Sequence, residues 1–131
     1  REAFQKEYID RNKPLRLLDY TLHREGPERK QVVIEVQLDF EGDPMNVSGS
    51  GNGPIAAFVS ALSNAHLKDF RLLDYSQKAI TMGSAADAVS FVLIERSPDG
   101  GKFWGASIDA NVESGGLQAV VSAFNRAHSA P

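Results

Sequence analysis

A chain of 131 residues with a formal net charge of −3, 42% apolar residues, 24% charged residues and no cysteine has the size and make-up of one globular domain. Its length can bury a core without covalent staples, and the missing thiol removes disulfides, cysteine-based metal sites and cysteine nucleophiles while suiting a cytoplasmic setting. The mildly acidic balance offers no basic face to nucleic acid or a membrane surface, and no apolar run is long enough to span a bilayer.

Residues 1–13 read as the end of a helix, with Phe4 and Tyr8 on one face and Asn12-Lys13-Pro14 as its stop. The chain starts inside this helix without Met, so a linker from a preceding part of a longer protein is expected. The rest, 14–131, repeats itself. Arg16-Leu17-Leu18-Asp19-Tyr20 recurs as Arg71-Leu72-Leu73-Asp74-Tyr75, and the flanks repeat with it.

After the first copy, Ile34, Val36, Leu38 and Phe40 alternate with Glu35, Gln37 and Asp39, the pattern of a strand with one wet face. After the second, Ala88 to Glu95 is strand-like but apolar on both faces, which predicts a more covered strand. Each half then passes through a glycine-bearing segment into a helix. Ile55, Phe58, Val59 and Leu62 form one apolar stripe, and Leu117, Val120, Val121 and Phe124 form the other. Glu25-Gly26-Pro27, Glu41-Gly42-Asp43-Pro44 and Ser97-Pro98-Asp99-Gly100-Gly101 mark the turns. The expected architecture is α+β: two pseudo-symmetric βββα units, 14–66 and 67–131, behind a short linker helix. Strands are expected over 14–24, 30–41, 44–51, 70–82, 87–97 and 102–110, and helices over 54–65 and 115–128.

The densest motif is Val47-Ser48-Gly49-Ser50-Gly51-Asn52-Gly53-Pro54. Pro54 suits the first helical position, with Asn52 or Gly53 as cap. Such a strand end beside a helix N-terminus is either a tight turn or a receptor for a phosphate or carboxylate. Its glycine spacing fits neither a dinucleotide fingerprint nor a phosphate loop. The counterpart in the second half, Trp104 to Gly116, has Ser114 as the expected cap.

No catalytic constellation emerges. His23, His66 and His128 lie on different elements without metal-ligand spacing. Asp19 and Asp74 occupy equivalent positions, which points to one shared local turn or cap, with an acid–base pair as the alternative. Tyr20 and Tyr75 each bury a ring and need a partner for one hydroxyl; Tyr75 has the further option of flooring a ligand pocket. No serine stands in a nucleophile elbow.

Gly49-Ser50-Gly51-Asn52-Gly53-Pro54-Ile55-Ala56-Ala57-Phe58, then Leu73-Asp74-Tyr75, Ala79, Gly83 and Trp104-Gly105, and finally Ala119 to Arg126, together resemble the C-terminal regulatory domain of the α-isopropylmalate synthases. The resemblance runs from about Pro14 to Arg126, and residues 1–12 are similar to that family's linker helix. It implies enzymes that condense acetyl-CoA with 2-oxoisovalerate at the first committed step of leucine synthesis. Their chemistry and divalent metal reside in an N-terminal (β/α)₈ barrel absent from this chain, so no cofactor is expected here. The implied domain is a non-catalytic homodimer that takes L-leucine as feedback inhibitor. The implied effector contacts are Gly51, Asn52, Gly53, Pro54, Ile55 and Ala56 from the first loop, Leu72, Tyr75 and Ala79 from the fourth strand, and Ile108 with Asp109 from the second loop. Three features depart from the family pattern: Asp87 is out of register, Ser107 stands for a glycine, and Gly115-Gly116 replaces an Ala-Ser pair. A dimerisation domain with a decayed effector site and the isoleucine-sensing domain of a citramalate synthase are the alternative readings.

Overall fold

The computed structural model describes residues 14–67, 69–82 and 85–129; the helix expected before Pro14 lies outside them. Two compact units result, each a three-stranded antiparallel sheet followed by a helix. The first holds β1 (Leu15–Glu25), β2 (Gln31–Phe40), β3 (Asp43–Gly51) and α1 (Pro54–Asn64). The second holds β4 (Phe70–Met82), β5 (Ala85–Arg96), β6 (Lys102–Asp109) and α2 (Val112–Ser129). In both sheets the strands lie in chain order, which is the βββα pair expected from the repeat.

The alternation in β2 sets its faces. Val32, Ile34, Val36 and Leu38 are buried, while Glu35 and Gln37 are exposed on the side away from α1. In β5, Ser90, Val92 and Ile94 are buried, and Phe91 and Leu93 on the other face are half-covered, so the strand is apolar on both sides.

The repeated pentapeptide is a β-bulge. The β1–β2 register slips between Leu17 and Asp19, and the β4–β5 register between Leu72 and Asp74. Leu18 and Leu73 are the extra residues, and both are exposed. Asp19 Oδ1 accepts the Tyr20 N–H at 2.8 Å, and Asp74 Oδ1 accepts the Tyr75 N–H at 2.9 Å. The matched aspartates therefore hold the same local backbone kink.

Both helices cross their third strand at a glycine. A Cβ on Gly49 would stand 2.3 Å from Ala61 N, and one on Gly105 would stand 2.2 Å from Ala123 N. Alanines meet glycines there, so the helices lie almost on the backbone of the sheet. This close seat rotates α1 relative to its expected stripe. Ala57, Phe58, Ala61 and Leu62 are buried, whereas Ile55 and Val59 are only half-buried. In α2 the expected residues Leu117, Val120, Val121 and Phe124 are all buried.

The hairpins differ. Glu41 and Gly42, at φ 54° and 87°, make a two-residue turn between Phe40 and Asp43. The β5–β6 turn is wider: Arg96 N–H donates to Gly101 O at 2.7 Å, and Gly100 N–H to Arg96 O at 2.8 Å. Arg96 braces it. Its guanidinium meets Asp99 at 3.1 and 2.5 Å, the Ala127 carbonyl near the end of α2 at 2.6 Å, and the Phe103 ring 4.8 Å from its centroid.

The two turns set different registers. Val36 pairs with Val47, and Gly49 pairs with Ile34. Val92 pairs with Gly105 itself. Tyr20 pairs with Val36 and Tyr75 with Val92. Relative to the glycine that seats the helix, the second tyrosine is thus displaced along the sheet by two residues, about 7 Å. A slide of two keeps each side chain on its own face.

Candidate functional site

In the first unit the glycine motif is the path from β3 into α1. A Cβ on Gly51 would lie 2.8 Å from the Ala56 Cβ, so this glycine lets the first turn of the helix fold back onto the strand. Gly53 is different. It is the N-cap, its backbone is extended at φ −165° and ψ 170°, and a Cβ there would meet nothing within 4 Å. Neither crowding nor torsion requires glycine at that position.

What Gly53 leaves is an uncapped helix. No side chain bonds to the N-terminus of α1, Pro54 carries no N–H, and the first turn holds no acidic residue. The first intrahelical donor is Ala57, whose N–H reaches Gly53 O at 2.9 Å. The amides of Ile55 and Ala56 precede it and carry the positive end of the helix with no side-chain counter-charge. Asn52 is exposed beside them.

The second unit treats its helix in the opposite way. α2 begins at Val112, three residues before the expected start, and Asn111 rather than Ser114 is the cap. Ser114 N–H donates to Asn111 Oδ1 at 3.0 Å, Gly115 N–H to Asn111 O at 2.9 Å, and Asn111 N–H to Asp109 Oδ1 at 2.8 Å. Glu113 adds an acid in the first turn. This end of α2 thus has a side-chain cap and an acid of its own, which the end of α1 lacks.

The departures at the second loop are coupled. Ser107 Oγ donates to Gly115 O at 2.5 Å. A Cβ on Gly115 would sit 3.2 Å from Asp109 Cβ and 3.3 Å from Ser90 Oγ. A hydroxyl on the strand is matched by a glycine on the helix, the reverse of the arrangement at Gly51 and Ala56.

The strand pairing assigns the remaining expected residues to faces. Leu72, Tyr75 and Ala79 pair with Ile94, Val92 and Ala88, and Asp109 also pairs with Ala88, so all four share the face that carries α2. Ile108 pairs with Val89 and belongs to the other face. Sequence reading missed Gln77 and Ser90, which lie on the α2 face together with Ser107, singled out there only as a departure from the family pattern. Gln77 Nε2 donates to Ser90 Oγ at 3.0 Å, and Ser90 is fully buried. The Tyr75 phenol is pushed above its usual range by burial, an effect opposed by its hydrogen bond with Ser90. Their signal was the pair of serines breaking an apolar alternation.

A polar groove of about 500 Å³ crosses the open face of the first sheet between Asp19, Thr21, Glu35, Gln37, Asn46 and Ser48. It meets the glycine motif only at the strand end, through Val47 and Ser48, and includes none of its glycines. Among the described residues, no three His, Asp or Glu side chains gather as metal ligands, and no helix is long and apolar enough to cross a membrane.

The sequence is similar to those of known proteins. The chain is 36% identical over 126 residues to a 2-isopropylmalate synthase of Corynebacterium efficiens, covering 96% of this chain and 21% of that protein. It is 32% identical to the 2-isopropylmalate synthase of Clostridium acetobutylicum and 37% identical to that of Mesorhizobium japonicum, covering 94% and 95% of this chain. The chain spans about a fifth of the length of these curated relatives. The sequence profile of the LeuA allosteric (dimerisation) domain matches residues 1–128, and the chain belongs to that family.

Proposed function

We propose that this chain is the leucine-sensing feedback domain of a 2-isopropylmalate synthase, acting as a homodimer joined to an N-terminal catalytic barrel that carries the divalent metal. The observation that carries the reading is the uncapped N-terminus of α1. Behind Gly53 and Pro54, the Ile55 and Ala56 amides stand at the positive end of a helix that has no side-chain cap and no acid in its first turn. An amino-acid carboxylate satisfies such an end. The relatives named above carry the enzyme's name, and the family is described as allosteric.

The effector residues expected in the second unit, Leu72, Tyr75, Ala79 and Asp109, share its α2 face, and Ile108, on the opposite face, has a weaker claim. The Asn111 cap on α2 favours one uncapped helix end per chain over two. Calorimetric titration with L-leucine, with L-isoleucine as the control, tests the reading. Saturable binding with leucine preferred is expected. No heat from a folded dimer at millimolar leucine overturns it and leaves a domain that only dimerises. Tighter binding of isoleucine moves the chain to a citramalate synthase.

A further inference from the structure

Two of the eleven glycines follow an asparagine or an aspartate: Gly53 after Asn52 and Gly100 after Asp99. In such a pair the glycine nitrogen can attack the preceding side-chain carbonyl carbon, because no side chain shields it and glycine torsions reach the closing geometry. The fold restrains both partners of the second pair. Arg96 bonds the Asp99 carboxylate at 3.1 and 2.5 Å, and the Gly100 N–H donates to Arg96 O at 2.8 Å. It restrains neither partner of the first. Among the described residues, no hydrogen-bond partner holds the Asn52 side chain or the Gly53 N–H. Asn52 is exposed, and the space that a Gly53 Cβ would fill is empty. The other described asparagines are shielded. Asn46 precedes the branched Val47 within β3, Asn64 Nδ2 donates to Ser48 O at 2.7 Å, Asn111 Oδ1 accepts the Ser114 N–H, and Asn125 is buried.

We propose that Asn52 is a site of spontaneous deamidation, and that the carboxylate formed there closes the N-terminus of α1 to the effector. The Gly53 nitrogen bonds to Asn52 Cγ, the Cγ–Nδ2 bond breaks, and Nδ2 leaves as ammonia with the Gly53 amide proton. Water then opens the cyclic imide at one of its two carbonyls. One opening leaves an aspartate, the other an isoaspartate whose main chain runs through the side chain. Either way one water is consumed, one ammonia is released and one negative charge is gained. That charge is joined directly to the cap of a helix with no side-chain cap and no acid in its first turn. The chemistry at Asn52 stands without the leucine reading; its consequence for the effector rests on that reading.

Two measurements on the whole chain test it. In the first, the folded chain is aged at mildly alkaline pH and mapped by peptide mass spectrometry, with isoaspartate detected by enzymatic methylation. Asn52 converts ahead of Asn46 and Asn64, within about tenfold of its own rate in urea. Gly53→Ala slows the conversion by about tenfold. An Asn52 that lasts as long as Asn64, or that converts only in urea, overturns the proposal.

The second measurement is leucine affinity. The converted chain, separated by ion exchange, binds leucine at least about tenfold more weakly than the fresh chain, and Asn52→Asp weakens it likewise. Asn52→Gln, whose ring needs one more member, keeps its own affinity through the same ageing. Converted chain that binds as well as fresh chain overturns the closing of α1, and so does an equal loss in aged Asn52→Gln. Conversion at Asn52 in a protein that gives no leucine heat even when fresh retains the modification site and removes the leucine reading.

Discussion

Tyr75 and Gly105 stand in one row of the second sheet, joined across Val92, whereas Tyr20 stands one pleat away from the row of Gly49. Gly49 and Gly105 do the same job in the two units, so the tyrosines do not. The shared pentapeptide fixes the bulge, and the register decides what the tyrosine meets.

The glycines that seat the helices are intolerant of any side chain. Gly49→Ala and Gly105→Ala each drive a methyl into helix backbone, at 2.3 and 2.2 Å from a nitrogen. Backbone cannot rotate aside, so each costs about 3 kcal/mol or more. Gly53→Ala, in open space with extended torsions, costs under about 1 kcal/mol. Urea denaturation midpoints at constant slope make the comparison.

Gly53→Asp separates stability from binding. A carboxylate at this cap accepts first-turn amides of α1 and meets the positive helix end, adding about 0.5 kcal/mol. It also occupies the donors assigned to the leucine carboxylate, so leucine affinity falls at least about tenfold. A variant that is more stable yet binds leucine unchanged places the carboxylate elsewhere.

The cap of α2 answers to the opposite residue from the one the motif suggests. Asn111→Ala removes the acceptor of the Ser114 N–H and costs about 1 kcal/mol. Ser114→Ala leaves the cap intact and changes stability by less than about 0.5 kcal/mol. Thermal unfolding of the two variants distinguishes them.

The brace on the β5–β6 turn is acid-sensitive. Arg96, by direct hydrogen bonds, and the Gly101 N–H hold the Asp99 carboxyl at about 2, below its ordinary 3.8. A carboxylate whose folded value is depressed stabilises the fold above its unfolded value, and this contribution is lost as pH falls through the folded one. The stability difference between the native chain and Asp99→Asn is therefore full at about pH 6 and shrinks between about pH 4 and about pH 2. Thermal midpoints across that range measure it. A difference that stays constant refutes the assignment.

Much of this was legible before any coordinates. Period-two alternation in β2 and the apolar residues of α2 marked real faces, because burial is what those patterns encode. The glycine motif marked a strand-to-helix passage for the same reason. Three features were not legible. Asn111 and Ser114 are both good caps, and only the placement of Asp109 decides between them. The stripe on α1 turned toward Ala57 and Ala61 because the absence of a Cβ on Gly49 rewarded close approach over large apolar area. Ile108 sat next to Asp109 in sequence and so fell on the opposite face.

The register difference escapes inspection for a further reason. The same number of residues separates Val36 from Gly49 and Val92 from Gly105, so the two halves align there without a gap. The turn centre nevertheless moves by one residue, from between Glu41 and Gly42 to between Pro98 and Asp99, and that slides the pairing by two. After a gene duplication, such a change divides labour between the copies without insertion, deletion or replacement of the duplicated tyrosine. Substitutions confined to a hairpin tip, far from any ligand, can therefore re-address a side chain that an ancestral sequence comparison would score as unchanged.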